Sequence, residues 1–396
     1  MENLKNHNFH VSLSRNHLTF LPENIKSLYK LKTLNLSYNS LPSLPSGIVL
    51  LSTLTTLLLN NLYLTELPDD IGLLKQLETL ELRDNYLTSL PSSLDQLESL
   101  ERLDLGNNQL DRIQTVMTVC SGLRELWLDN NDISEIPPTV RHLMSLSFLD
   151  VSGNRVERVA EEVGELYSLS HLNLSHNKLD SLPDRVFQAG GLVSLDLSHN
   201  LLKSLPPSLG DCQLLEELSL SHNGLVTLPS AVGQLEALIY LELSNNLLES
   251  LPTQVMSLHH LSVLSLRNNI LTDLPAQLGL CSGLSVLDLR GNMVQHLPAS
   301  FASLPALRAI WLAENQSRPL PVFTVETEDS GERVMRCCLL PQRKYIQTPE
   351  ESWTGSLSRH LNIKFDQSLA VDSVVTITEN SAVKTGSRTS VKSHGI

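Results

Sequence analysis

One short unit recurs along this chain in unbroken register. It reads LVSLDLSHNLLKSLPPSLGDCQL at Leu192–Leu214, and its asparagine, Asn200, serves as a marker. Steps of 23 from Asn16 to Asn315 give fourteen marker positions, thirteen of them Asn; position 62 is Leu. Six residues after the marker, twelve of fourteen positions hold Pro, from Pro22 to Pro321, with Gln114 and Ala160 as the exceptions. Chance does not hold one register this long, so each unit is read as one structural coil. Coils are numbered 1 (Asn16) to 14 (Asn315).

Each part of the unit has a physical reason. Leu195 and Leu197 flank a polar residue, the alternation of a short strand with its leucines turned inward. The Asn amide both donates and accepts, so it can satisfy backbone groups buried between coils. Aliphatic residues nine and twelve places after the marker (Leu94 and Leu97, Val140 and Leu143) fill the far side. The Pro, with fixed φ and no N–H, suits a non-helical turn there. One coil cannot bury its own leucines, so neighbours must stack. Fourteen strands at about 4.8 Å give an arc of roughly 65 Å. The pattern LxxLxLxxNxLxxLP resembles the leucine-rich repeat. The fold class expected is an α/β repeat solenoid: a horseshoe with a concave parallel β-sheet and a C-terminal β cap. The division expected is 1–321 solenoid, 322–342 cap and 343–396 mostly disordered tail.

The repeat breaks in a few places. Coil 3 holds Leu62 at the marker, and Asn60 or Asn61 could bend in to replace the amide. Ala160-Glu161-Glu162 in coil 7 would permit a brief helical turn. Residues 322–340 read as two β segments around Ser330-Gly331, with Phe323, Val325, Met335, Cys337 and Leu339 placed to cover Leu307, Ile310 and Leu312 of the last coil. A small amphipathic element near Trp353 to Phe365 is possible on pattern.

The net charge is -14 and the pI about 5.4. An acidic body argues against nucleic acid or an anionic membrane as its main partner. Residues 341–396 hold seven Lys/Arg and five Asp/Glu, a net of +2. The first ten residues lack the apolar run of a secretory leader, and no stretch is long enough to span a membrane. Five cysteines lack the spacing of a disulfide-capped extracellular repeat, so a cytosolic chain is expected. The Asn-x-Ser sequons at Asn35, Asn173 and Asn315 follow from the repeat itself.

Little points to catalysis. Cys120, Cys212 and Cys281 sit twelve places after the marker, where other coils place Leu, and read as core. Cys337 and Cys338 read as buried in the cap. His176, His199 and His222 precede the marker in consecutive coils; a column of this kind could hold a metal, but copying of one coil explains it more simply. No phosphate-binding Gly loop or Ser/His/Asp arrangement is present, so no enzyme activity, cofactor or metal is expected. The readable surface is the concave face, formed by positions six, four and two before each marker. Its aromatic residues Trp127, Phe148 and Tyr240 lie among Glu81, Arg83, Arg102, Asp104, Glu125, Asp129, Asp150, Asp196, Glu217 and Glu242. Large aromatics amid charge are the composition of interface hot spots, so these thirteen residues are the expected partner-binding set. Asp288, Arg267 and Arg290 share the face.

The segment Leu307–Gln342, LRAIWLAENQSRPLPVFTVETEDSGERVMRCCLLPQ, resembles the end of the repeat domain in Scribble, Erbin, Densin and Lano. Trp311, Leu312, Asn315, Gln316, Pro319 and Leu320 match its last coil. Thr327, Glu328, Gly331, Glu332, Val334, Cys337, Leu339, Leu340, Pro341 and Gln342 match the stretch that follows. The resemblance implies a monomeric, non-enzymatic cytoplasmic scaffold, peripheral at the basolateral plasma membrane and cell junctions, that binds proteins through its repeats, the lethal giant larvae type among them. The chain departs from that family in having fourteen coils rather than about sixteen, without the family's N-terminal cap, and in having no N-terminal cysteine for acylation. Without a PDZ domain it looks most like Lano, although His394 stands where a PDZ ligand has Ser or Thr before the terminal Ile396. The same LP period also resembles the Shoc-two scaffold of Ras and phosphatase signalling; Ile363-Lys364-Phe365 is a fragment of a phosphatase-docking motif.

Overall fold

A computed structural model describes residues 9–113, 121–328 and 331–342, together with the backbone of a strand at 377–379. Expectations for Gln114, Cys120, Trp353–Phe365 and the C-terminal four residues lie outside the described residues.

Each of the fourteen coils contributes one strand to a single fourteen-stranded sheet, in chain order. All its neighbours are parallel and, apart from a register shift at Phe9 in the first strand, offset by one repeat length, as in Leu172↔Leu195 and Leu195↔Leu218. The leucines on either side of each strand's polar residue are buried, Leu195 and Leu197 being typical. They merge with Leu202, Leu209 and Cys212 of the same coil into one core that runs the length of the solenoid. Cys212 and Cys281 lie in it as expected; burial pushes their thiols up, to about 12 and about 11.

The far side of the coils corrects the sequence reading. Pro there does not keep the turn non-helical; it starts a 3-10 turn. Pro22, Pro45, Pro91 and Pro206 stand immediately before such turns with φ between -74° and -65°. A ring locked at this φ is already set for a helical start. Ala160 does the same job at φ -69°, ψ 146°: the brief helical turn expected in coil 7 is present at Glu161–Glu165, as it is in the proline coils.

The residue before the marker has a conformational reason for its identity in coils 4–13, while Arg15 and Tyr38 adopt the same φ in coils 1 and 2 without being favoured types. Asp84, Asn107, Asn130, His176, His199, His222, Asn245 and Asn268 all lie at φ between 52° and 60°, and Gly153 and Gly291 take the corresponding places in their coils. The left-handed region tolerates Asn, Asp, His and Gly best.

The marker asparagines form a ladder. Asn200 donates from Nδ2 to Leu197 O at 3.1 Å and Ser198 O at 3.2 Å in its own coil, and to Leu174 O of the coil before at 2.9 Å. Its Oδ1 accepts the Leu179 N–H at 3.0 Å. The same set recurs at Asn85, Asn108, Asn154 and Asn246. In coil 3, Leu62 is fully buried in the marker place. Asn60 does not bend in: its amide faces the concave side, bonding Glu81 at 2.8 Å and the Arg83 N–H at 2.9 Å.

At the C-terminal end, strands Phe323–Thr327 and Arg333–Arg336 form an antiparallel hairpin, joined through Gly331 at φ 84°. Phe323 packs on Phe301 at 5.1 Å, and Phe323, Val334 and Met335 are buried. Val325, Cys337 and Leu339 are only partly buried and Cys338 is exposed, so the two cysteines are not a buried pair. The hairpin adds to the two-residue strand Leu297–Pro298 of coil 13, not to the edge of the concave sheet. That edge, Ala309–Trp311, is closed by its own coil: Ile310 N–H bonds Pro319 O at 2.8 Å and Leu312 N–H bonds Gln316 Oε1 at 2.8 Å. Residues Ile377–Glu379 pair in parallel with the outer side of the hairpin.

Candidate protein-binding face

The strands set the concave face directly: alternate residues point away from the leucine core, and adjacent coils bring them side by side in register. The thirteen residues picked from the sequence divide into two groups. Those of coils 4–7 touch one another; those of coils 9–11 form a separate acidic group, with His171 and Asn173 of coil 8 between them.

In coils 4–7 the arginines are held by carboxylates. Arg83 reaches across coil 5 to Asp129 of coil 6, in a bidentate pair at 2.5 and 2.9 Å, and bonds Asp104 at 3.0 Å. Gly106 makes this possible, since a Cβ there would collide with the Arg83 guanidinium and the Asp129 carboxylate. Asp104 and Asp129 are therefore buried. Burial opposes the charge on Arg83, but the bonds and charges of Asp129 and Asp104 outweigh it and hold Arg83 cationic. Asp104 lies above the usual carboxylate range because burial outweighs its bonds from Gly106 and Arg83.

Arg102 lies between Glu125 at 2.8 Å and Glu81 at 3.4 Å, with its guanidinium 4.1 Å from the Trp127 ring centre. Trp127 in turn touches Phe148 at 4.8 Å between centroids, and Phe148 approaches His171 at 6.1 Å. An arginine stacked on tryptophan is a favourable cation–π pair. The result is a continuous row, Arg102–Trp127–Phe148–His171, over coils 5–8, half-buried as far as Phe148 and exposed at His171. Asp150 borders it and accepts from Ser152 N–H at 2.8 Å and Asn173 at 3.1 Å; burial, with Asp129 adding to it, keeps this carboxyl above its usual range.

Tyr240 is not part of that row. Its hydroxyl donates to Glu242 at 3.0 Å, among Asp196 and Glu217. The sequence reading missed His171, which extends the aromatic row from the strand position equivalent to Phe148, and Trp311, which lies 5.9 Å from the Arg290 guanidinium. Both occupy outward positions of the repeat, so the period could have found them.

The histidine column is a stack, with ring centres at 3.9 and 4.0 Å and planes within 11° and 13° of parallel. Ring nitrogens aim their lone pairs within the ring plane, and planes this close to parallel do not converge on one ion. Burial first, then His222 and His176, pushes His199 down to about 4. Among the described residues no group of three His, Cys, Asp or Glu is placed to hold a metal ion. No described helix is long and apolar enough to cross a membrane.

Comparison with known proteins agrees with this architecture. The family description "Leucine rich repeat" matches residues 52–110, 167–225, 213–271 and 259–316, and a second pattern of the same name matches 30–51 and 122–143. Among solved structures, a leucine-rich-repeat protein of Leptospira interrogans is 36% identical, with a TM-score of 0.73, over 76% of this chain and 78% of that one. The Toll protein in the Drosophila Toll–Spatzle complex is 24% identical with a TM-score of 0.69, over 76% of this chain and 43% of that one. The plant peptide hormone receptor RGFR1, in complex with RGF2, is 24% identical with a TM-score of 0.56, over 76% and 58%. The last two show likeness of fold. No curated protein matches the chain. With a fourteen-coil parallel sheet, an asparagine ladder and these matches, the chain belongs to the leucine-rich repeat family.

Proposed function

We propose that this protein is a non-enzymatic scaffold that holds a protein partner on its concave face, anchored on coils 4–8. The observation that carries this reading is the row Arg102–Trp127–Phe148–His171, framed by Glu81, Glu125 and Asp150. Half-buried aromatics with a stacked arginine, ringed by charge, have the composition of binding hot spots. Asp104, Asp129 and Arg83 serve the site by fixing its floor.

The partner context we favour is cell polarity: a scaffold peripheral to the basolateral membrane, of the Scribble–Erbin–Densin–Lano type, with lethal giant larvae proteins as partners. Support comes from two glutamines in the resembling segment. Gln316 closes the sheet edge, and Gln342 bonds Leu289 O and Leu312 O at 2.8 and 2.9 Å. That residues of the resembling segment outside the repeat build the end of the solenoid supports weighing this likeness above the repeat period alone.

The test is proximity labelling in polarised epithelial cells with the parent chain and a Trp127→Ala/Phe148→Ala variant. Asp129 is left intact because a lysine there would face Arg83 and unfold the floor. Polarity proteins should label with the parent and fall at least about tenfold with the variant, since loss of a hot-spot pair removes about 2 kcal/mol or more. Labelling of Ras-pathway proteins instead would favour the Shoc-two-like reading. Equal labelling by a folded variant would place the partner elsewhere.

A further inference from the structure

Charge is spread unevenly over the concave sheet. In coils 4–7, Arg83 and Arg102 meet their carboxylates within the face. At the far end, Arg267 and Arg290 do the same with Asp288 and Glu314. Between these regions, the outward positions of coils 9–11 hold Asp196, Glu217, Glu242, Tyr240 and serines, with no Lys or Arg. The three carboxylates accept hydrogen bonds only from neutral groups. Ser198 N–H reaches Asp196 at 2.9 Å and Ser194 Oγ reaches Glu217 at 3.2 Å. Glu242 takes the Ser244 N–H at 2.8 Å and the Tyr240 hydroxyl at 3.0 Å. None of the three forms an ion pair among the described residues. They act on a common point: besides burial, Glu242, Asp196 and Glu217 all raise the Tyr240 hydroxyl. This stretch of sheet is a face without a partner, and the partner it fits is an extended cationic segment.

The chain contains such a segment close by. From residue 380 onward there are Lys384, Arg388 and Lys392 and no Asp or Glu. Residues Ile377–Glu379 are pinned against the cap hairpin at the C-terminal end of the solenoid. Thirteen residues lead from Glu379 to Lys392 (392 − 379), a reach of about 43 Å when extended. The sheet from coil 14 back to coil 9 covers about 24 Å. A tether of this length keeps the segment at an effective concentration on the order of millimolar. Exposed ion pairs are individually weak, so a contact built from them closes through the tether and opens readily.

We propose that the concave face of coils 9–11 is a docking surface for the chain's own segment 380–396, running back along the sheet so that Lys384 lies nearest Glu242 and Arg388 and Lys392 continue over Glu217 and Asp196. The contact covers the half of the face next to the aromatic row, so a partner whose footprint extends past coil 8 must displace the segment. This inference does not rest on the identity of any partner.

Zero-length carbodiimide cross-linking of the full chain at low salt, with peptide mapping of the monomer fraction, tests it. Lys384 should link to Glu242, and Lys392 to Glu217 and Asp196, at least about tenfold more than to the exposed convex acids Glu98 and Glu161. The yield should fall about fivefold or more in 1 M salt, where the screening length is about 3 Å. In a Glu217→Gln/Glu242→Gln variant with an unchanged melting curve, links to Asp196 should also fall, although Asp196 is untouched. Links spread evenly over exposed carboxylates, or found only between molecules, would overturn the proposal. So would an Asp196 yield unchanged in the variant.

Discussion

Position 62 in coil 3 holds a buried leucine, and Asn315 in coil 14 is turned out to solvent. Neither supplies the ladder amide, yet only the second place is refilled. In coil 14 the substitute is Gln342, from beyond the last repeat. Gln342 donates to Leu289 O at 2.8 Å and Leu312 O at 2.9 Å and accepts the Val294 N–H at 3.0 Å, the bonds an asparagine at 315 would make. The difference lies in redundancy. Inside the solenoid every ladder carbonyl has two donors, one from its own coil and one from the next. With Leu at 62, Leu36 O keeps its bond from Asn39 at 2.8 Å and Leu59 O keeps that from Asn85 at 2.8 Å. Only the Leu41 N–H, counterpart of Leu18 and Leu64 N–H, meets no amide oxygen. At the last coil there is no next coil, so Leu312 O depends on Gln342. An interior gap is tolerated because neighbours overlap; a terminal gap needs a dedicated part.

The comparison breaks most visibly if the whole terminal part is removed. Truncation after Pro321 strips Phe323, Val334, Met335 and Leu340 from the end of the core, together with Gln342. Four buried apolar side chains amount to on the order of 6–12 kcal/mol of lost burial. The expected outcome is aggregation or melting of the last coils, read by size-exclusion chromatography and thermal unfolding against a chain ending at Gln347. Equal melting curves and elution would mean that segment 322–342 is a linker rather than a cap.

A single atom pair sharpens the point. Gln342→Glu keeps the size and the acceptor but loses both donated bonds, to Leu289 O and Leu312 O. Leu289 O retains Asn292 at 3.0 Å; Leu312 O is left without a donor, and a carboxylate now faces it. A cost of about 2–4 kcal/mol is expected, an unmet buried group plus charge repulsion. It should lessen at acid pH, because the introduced carboxyl, once protonated, can donate again. A loss of stability that is flat with pH would show the donor to be unimportant.

Interior ladder positions should cost less. Asn200→Ala leaves Leu174 O with Asn177, Leu197 O with Asn223 and Ser198 O with the His176 N–H. Only Leu179 N–H is orphaned, so about 1–3 kcal/mol is expected from urea unfolding. A value above about 5 kcal/mol, beyond the cost of one unmet group, would contradict the redundancy.

These features were legible in the sequence to different degrees. The strands, the buried leucines and the ladder follow from the period, because identical coils repeat identical contacts. The concave list was also readable, since outward positions are set by strand alternation. Which of its residues touch was not. Arg83 reaches Asp129 across two coils only because residue 106 is glycine, and no rule of period records a space. The role of Gln342 was hidden for a similar reason: it lies outside the repeat, and its partners are backbone atoms that carry no sequence signature. The 3-10 turns were misread because proline was taken to exclude a helix, when its φ favours the first step of one.

The smallest effect expected is at the interior gap itself. Leu62→Asn would give the Leu41 N–H its acceptor, a net gain of about 0.5–1.5 kcal/mol. It would also lose a fully buried leucine, a loss of about 1.5–3 kcal/mol that the stem of the asparagine partly offsets. The new Nδ2 adds little, because Leu36 O and Leu59 O are already bonded. The terms nearly cancel, so stability should change by no more than about 1.5 kcal/mol, the difference between one hydrogen bond and one buried side chain. Protection of the Leu41 amide against hydrogen exchange should nevertheless rise, because exchange reads that one bond and unfolding reads the sum. A stabilisation of about 3 kcal/mol or more, on the order of three net hydrogen bonds, would mean that the coil 3 carbonyls are not satisfied by their neighbours. The contrast between an overlapping interior and a dependent end would then fail.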